Sequence, residues 1–350
     1  MQEKSEEIEI QFKIKNKKDI SLSEIKEINA MAIFPSGNII YSNHDSLIIL
    51  DANYDILQII GIDESIFTIC IIKQSLFYTG GSKGIIKRWE ETNNTERKIK
   101  VFEENKNEKK EPQHNDSITQ ILVNEQLMYS CSYDQTVKVR DKDNIQETTD
   151  KLDINLGKIY SMFFDIDFKV LIISGEKGTE FWNQNNDKYN KIDIEEGSKC
   201  EISSYQYGIK TFEKNENNMK IVIGGLNLIE LFFIKKGREF SLTITKIQTI
   251  KIDYFCICIS IHILNNKIIF FTGESITEIN EILKEDEENY KIRVYIKNND
   301  QFEYYDTYEN AHKKCINGLI KLNEALFISF SDDGRIKIWK FKKKLMLNKN

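Results

Sequence analysis

Three groups of side chains in this sequence have the types and spacing of chemical machinery. His312, Ser331 and Asp333 assemble a base, a hydroxyl and a carboxylate, the ingredients of nucleophilic acyl transfer. His114, Ser132 and Asp134 repeat that set earlier in the chain. Cys256, Cys258 and His262 alternate along YFCICISIHIL, and on a strand residues two apart point to the same face, so three soft donors would share one side. Each group also has a plainer reading. A serine nucleophile needs a presenting turn such as G-x-S-x-G and an oxyanion-donor loop, and the sequence has neither. A zinc site needs four ligands, and no neighbouring CxxC or HxH completes the set. The expectation is therefore a chain with no catalytic residues, metal or cofactor, whose Ser–His–Asp sets are internal hydrogen-bond networks and whose cysteines fill a buried innermost strand.

The elements that must position these residues are strands. Segments such as SLIILD, GIIKRW, TVKVRD, KIRVYIK and RIKIWKF alternate or run apolar over five to eight residues, bounded by Gly, Asn, Asp or Ser. The one stretch readable as a helix is Ile276–Glu288, and it is heavily acidic. Aligning the strand ends reveals a repeat, with closing strands ending near Asp51, Glu90, Asp141, Asn183, Lys235, Lys297 and Lys340. A further strand between units (YDILQII, ERKIKVF, YNKIDI, EYYDTYE) gives four strands per unit, the blade of a β-propeller. The last unit lacks its fourth strand, and an orphan strand, IEIQFKIKN, stands at the start. Pairing the two removes both open edges. The expected fold is an all-β, seven-bladed propeller of four-stranded antiparallel blades. Residues 1–26 supply its closing strand, 27–341 the propeller and 342–350 a basic tail.

Composition narrows the function classes. The 350 residues carry 49 basic and 55 acidic side chains, and a net charge of −6 argues against nucleic-acid binding by bulk charge. The lysines of Glu103–Gln113 and of the tail KFKKKLMLNKN lack interleaved aromatics for stacking on bases. The longest apolar run, Tyr254–Leu264, is about half of the ~20 residues of a membrane-spanning helix. The amino terminus MQEKSEEIEIQF has no apolar core of a signal peptide, and six scattered cysteines without CxxC pairing suit a reducing compartment. A cytoplasmic protein is expected, with nuclear or cytoskeletal association as variants. The heavy use of Ile, Asn and Lys reads as the codon bias of an AT-rich genome.

Two units carry a family resemblance. AHKKCINGLIKLNEALFISFSDDGRIKIWKF (311–341) and HNDSITQILVNEQLMYSCSYDQTVKVRD (114–141) resemble the WD-repeat family. Unit spacings of roughly 40 to 60 residues lie at or above the ~40–45 of its blades. The resemblance implies a buried tetrad of His, Ser or Thr, Asp and Trp. His312, Ser331, Asp333 and Trp339 would form a full set in the last blade, and His114, Ser132 and Asp134 a partial one with Arg140 in the Trp position. The second unit keeps Trp89, with Gly81 and Lys83 at the Ser and Asp positions. The fourth has Ser174, Glu176 and Trp182; the first keeps Ser42; the fifth and sixth keep only pattern.

The resemblance also implies a function. Rigid blades with variable loops suit a non-catalytic scaffold that binds protein partners as a subunit of a larger assembly; a hydrolase or lyase using the central funnel is the alternative. No subfamily signature is present. In this family the loop between second and third strands and the loop entering the first share the narrower face. Tyr133 and Asp332, just before the turn acids, would point there, together with Glu285 and Glu287 of the acidic insertion Thr277–Glu288. Tyr133 has the character of an interface anchor.

Overall fold

Period-2 alternation becomes pleated strand wherever the chain is described. The computed structural model describes residues 7–12, 27–94, 99–104, 113–145, 147–185, 188–194, 206–238, 241–264, 267–275 and 290–344, and its elements there are strands. The acidic stretch Ile276–Glu288, with Glu285 and Glu287, lies outside the described residues, as do 105–112 and the tail 345–350.

Strand β1 (Glu7–Phe12) stands apart in sequence from the others. The first sheet follows as β2 (Ala30–Ile33), β3 (Ile39–Ser42), β4 (Ser46–Leu50) and β5 (Ile56–Gly61). Next come β6 (Ile66–Lys73), β7 (Leu76–Gly81), β8 (Ile86–Asn94) and β9 (Ile99–Glu104), then β10 (Ile118–Val123), β11 (Leu127–Ser132), β12 (Thr136–Asp141) and β13 (Thr148–Asp153). The fourth sheet is β14 (Ile159–Asp165), β15 (Val170–Gly175), β16 (Gly178–Asn185) and β17 (Lys188–Ile192). A six-stranded sheet holds β18 (Gln206–Lys214), β19 (Asn218–Lys236), β20 (Leu242–Leu264), β21 (Lys267–Ser275), β22 (Tyr290–Asn298) and β23 (Gln301–His312). The last sheet contains β24 (Ile316–Asn323), β25 (Leu326–Ser331) and β26 (Ile336–Lys344), with β1 against β26 from Glu7↔Lys344 to Phe12↔Trp339. That pairing covers an edge the final hairpin would otherwise leave open.

The expectation of seven separate four-stranded blades is overturned: among the described residues there are six sheets, five of four strands and one of six. Units five and six are joined, because IKIDYFCICI contains no Gly, Pro or Asn to break the strand between them. β20 therefore passes from one unit into the next, pairing with β19 as far as Phe255 (opposite Leu226) and with β21 from Phe255 onward. β19 doubles back near Asn227, whose φ is +60°, and Lys236 N–H donates to Asn217 C=O at 2.9 Å.

Apolar faces meet between successive sheets. Phe34, Ile40 and Leu47 of the first pack on Ile66, Phe77 and Trp89 of the second. The ring closes where Ile328 and Phe330 of the last sheet pack on Met31, Ile39 and Ile48 of the first. Hydrogen bonds stitch the innermost strands alongside: Ser42 Oγ to Ile66 C=O (3.0 Å), Thr119 Oγ1 to Ile159 C=O (2.9 Å) and Asn317 Nδ2 to Ile28 C=O (2.9 Å). Buried polar groups thereby keep partners at the point of closest sheet approach.

The face-sharing of Cys256 and Cys258 is also corrected. A register shift between them puts Cys256 in the cluster of Val222, Tyr254 and Phe270, and Cys258 in that of Phe271, Ile292 and Ile316. An extra residue in one strand rotates everything after it, so the period-2 argument fails across a bulge. Burial pushes the Cys258 thiol up to about 12. His262 is buried, with Nε2 at 3.0 Å from Ser260 Oγ and Nδ1 at 3.2 Å from Glu324 C=O.

Candidate functional site

The last sheet builds its polar network from β25, β26 and the end of β23. The β25–β26 ladder sets Phe327 opposite Trp339 and Ser329 opposite Lys337. The indole therefore leans onto Ser329: Trp339 Nε1–H donates to Ser329 Oγ at 2.7 Å, and that hydroxyl meets His312 Nε2 at 2.6 Å. His312 Nδ1 lies 3.1 Å from both Asp333 carboxylate oxygens. With Nδ1 protonated, the ring donates to Asp333 and accepts from Ser329, so every group is satisfied. The hydroxyl of the set is thus Ser329 rather than Ser331. Ser331 instead donates to Lys314 C=O and accepts Asp333 N–H, both at 3.0 Å, fixing the tight turn.

The third sheet shows the same offset. Ser130, not Ser132, bonds His114 Nε2 at 2.8 Å; His114 Nδ1 lies 2.9 Å from Asp134, and Ser132 holds the turn through Asp116 C=O and Asp134 N–H. Arg140 takes the place of tryptophan by chemistry as well as position, its Nη1 donating to Ser130 Oγ at 2.7 Å and Nη2 to Gln113 C=O at 3.2 Å. Burial brings this guanidinium down to about 10. In the second sheet Trp89 donates to Thr79 at 2.9 Å, two residues before the Gly81 that sequence alignment selects. The rule is a hydroxyl on the second strand and a donor ten residues on, as in Thr79–Trp89, Ser130–Arg140 and Ser329–Trp339. In the six-stranded sheet Tyr254 Oη bridges Thr272 Oγ1 (2.6 Å) and Tyr295 Oη (3.1 Å). The fourth sheet has Ile172 at the hydroxyl position, and Trp182 Nε1 turns to Glu180 at 3.1 Å.

These sets are unsuited to nucleophilic catalysis. Ser329, Ser130 and both histidines are buried, and each hydroxyl already serves an imidazole and a second donor. Desolvation lowers the pKa of both imidazoles. Burial alone would raise the Asp333 carboxyl, but the hydrogen bond and charge of His312, with the N–H groups of Lys313 and Arg335, bring it down to about 2. No group of His, Cys, Asp and Glu among the described residues could hold a metal ion.

The loops these sets hold form the candidate site. Asp134 and Asp333 accept the N–H of Asn115 (3.0 Å) and Lys313 (2.9 Å), and Glu176 does the same for Lys158 (3.2 Å), locking each entering loop to the turn beside it. Lys138 and Lys337 add bonds to the carbonyls of Gln113 and Ala311, a contribution that sequence reading missed. Tyr133 stands on this frame, half-buried, edge-on to Tyr160 (centroids 5.7 Å), with Lys158 Nζ 5.2 Å over its ring. Burial first, then the charges of Asp116 and Glu176, raise its phenol. Asp332 is half-buried and accepts from Asn317 Nδ2, so it faces the sheet junction.

A radial ring of antiparallel sheets with apolar junctions, its turns at Asp134, Glu176 and Asp333 tied to the loops beside them, defines a β-propeller. The chain matches the family "WD domain, G-beta repeat" over residues 106–141. It is similar to a chain of the crystal structure of the mitotic checkpoint complex, with TM-score 0.68 at 10% identity over 94% of this chain and 93% of that one. It is also similar to the WD40 β-propeller domain of Doa1, with TM-score 0.62 at 13% identity over 95% and 97%. No curated protein is matched by the chain. The fold is a β-propeller, residues 106–141 match a WD repeat, and no subfamily is evident.

Proposed function

We propose that this propeller is a non-catalytic scaffold that holds a protein partner on the face carrying Tyr133, as one subunit of a larger assembly. The observation that carries the reading is Tyr133 itself: a half-exposed aromatic braced by Tyr160 and Lys158 on a turn fixed by the Asp134 network. A pre-ordered aromatic loses little conformational freedom on binding and is the kind of residue that dominates interface energy. The fold supports the reading, and one structural neighbour is a chain of a multiprotein complex. Asp116 and Glu176 beside Tyr133, and the acidic sequence Thr277–Glu288, favour a basic partner segment. The test is co-purification from the native cell with wild type, Tyr133→Ala, and Tyr133→Ala combined with removal of 277–288. The combined variant should lose the partner while keeping its denaturation midpoint. Unchanged co-purification would move the interface to the opposite face or the rim.

A further inference from the structure

A strand that pairs only at the edge of a sheet can be exchanged between molecules without loss of a single ladder bond. β1 holds such a place: it ends the order β1–β26–β25–β24, and among the described residues it is paired with β26 alone. No tight turn joins it to that sheet, because the rest of the chain lies between them.

The register shows what the β26 edge accepts. It runs without a shift from Glu7↔Lys344 to Phe12↔Trp339, so opposed residues share a face of the sheet. Glu7 and Glu9 stand at positions opposite Lys344 and Lys342, Gln11 stands opposite Lys340, and Ile10 and Phe12 stand opposite Phe341 and Trp339. Opposite charges across a ladder stabilise it, and like charges destabilise it. Two β26 edges paired antiparallel over their full length would set Lys337 against Lys343 and Lys340 against its own copy. The edge therefore disfavours itself and selects a strand of the β1 pattern.

We propose that β1 is exchanged between two copies of this chain: β1 of one pairs with β26 of the other, and the second returns its own β1, giving a two-fold symmetric dimer. The chain length permits it. Phe12 lies two strand spacings and four residues of β25 from Ser331, whose C=O holds Ile28 N–H, a hop of roughly 16 Å. Residues 13–26 have a contour of about 50 Å, three times what that hop needs, so the same strand has the length to reach a neighbouring molecule. Because the bonds made in exchange equal those given up, concentration sets the balance. A chain's own β1 competes at an effective concentration of about 1 mM, so exchange is slight at 1 µM and grows toward the millimolar range.

The test mixes full-length Gln11→Cys with full-length, isotopically heavy Lys340→Cys under mild oxidation, from about 1 µM to several hundred micromolar. Directly opposed Cα atoms are about 4.5–5.5 Å apart, within disulfide reach. Mass spectrometry of linked peptides should find a disulfide between residues 11 and 340 of different chains, rising with concentration. It should form at least tenfold faster than the link between Lys151→Cys, on outer strand β13, and Lys340→Cys. Adding Glu7→Lys and Glu9→Lys to the Gln11→Cys chain should reduce it at least tenfold. A chain carrying both cysteines should close on itself at 1 µM. Absence of the mixed disulfide at every concentration, a rate no greater than that of the Lys151→Cys pair, or equal linkage by the charge-reversed chain would each overturn the proposal. Failure of the double-cysteine chain to close would overturn it too, by removing the register on which it rests.

Discussion

Replacing Ser329 with alanine tests the polar network at its centre. The side chain accepts from Trp339 Nε1 at 2.7 Å and meets His312 Nε2 at 2.6 Å, and all three residues are buried. Ser329→Ala removes the acceptor of the indole N–H and the partner of the imidazole nitrogen, each loss costing about 1–3 kcal/mol, partly offset by no longer burying the hydroxyl. The net loss is about 2–4 kcal/mol. With a urea m-value of about 3 kcal/mol/M, the unfolding midpoint falls by roughly 1 M at unchanged m. Ser331→Ala removes only turn bonds to Lys314 C=O and Asp333 N–H and should cost about 1 kcal/mol. Adding Trp339→Phe to Ser329→Ala should cost less than the sum of the single variants, because the N–H that lost its acceptor has gone. A Ser329→Ala midpoint within 0.2–0.3 M of wild type, roughly the error of such fits, or a larger effect at Ser331, would refute the assignment.

The remaining predictions probe titration, close packing and the chain's first strand. Burial holds the His262 imidazole down at about 4 against an ordinary 6.5. The unfolded chain therefore takes up the proton first, and stability that is complete above about pH 6.5 is lost as pH falls toward 4, by up to about 3 kcal/mol. His262→Gln should flatten that slope in denaturation midpoints measured across the window. Protonation of Asp333, whose carboxyl sits at about 2, should remove further stability as pH drops below about 4. A Cβ on Gly81 would lie 2.1 Å from Ser65 C=O, whereas one on Gly61 meets nothing within 4 Å. Gly81→Ala should therefore lower the thermal midpoint markedly and Gly61→Ala should not. Removing residues 1–12 exposes the β26 edge and should destabilise the chain or cause it to associate; an equally stable monomer by light scattering and thermal melting would show that β1 pairing is dispensable.

Much of this protein was determined by local chemistry and is therefore legible in sequence. Branched apolar residues alternating with polar ones commit a segment to a half-buried strand whatever its partner. Turn acids such as Asp134 and Asp333 mark where strands reverse, because a carboxylate two residues before a backbone N–H accepts its bond. The orphan strand at Glu7–Phe12 could likewise be matched to the incomplete last sheet by counting alone. Tertiary structure decided what depends on register. Ser329 and Ser331 lie on one strand two residues apart and are equivalent by pattern; only the pairing of Phe327 with Trp339 carries the indole to the first. Arg140 is a charged misfit in the sequence and a tryptophan substitute in space, because its Nη1 reaches the same hydroxyl position. Cys256 and Cys258 part company at a bulge that no periodicity reveals. Units five and six joined into one sheet because an unbroken run of strand-forming residues carries β20 from one to the next, and only the pairing of its two halves with β19 and β21 shows it.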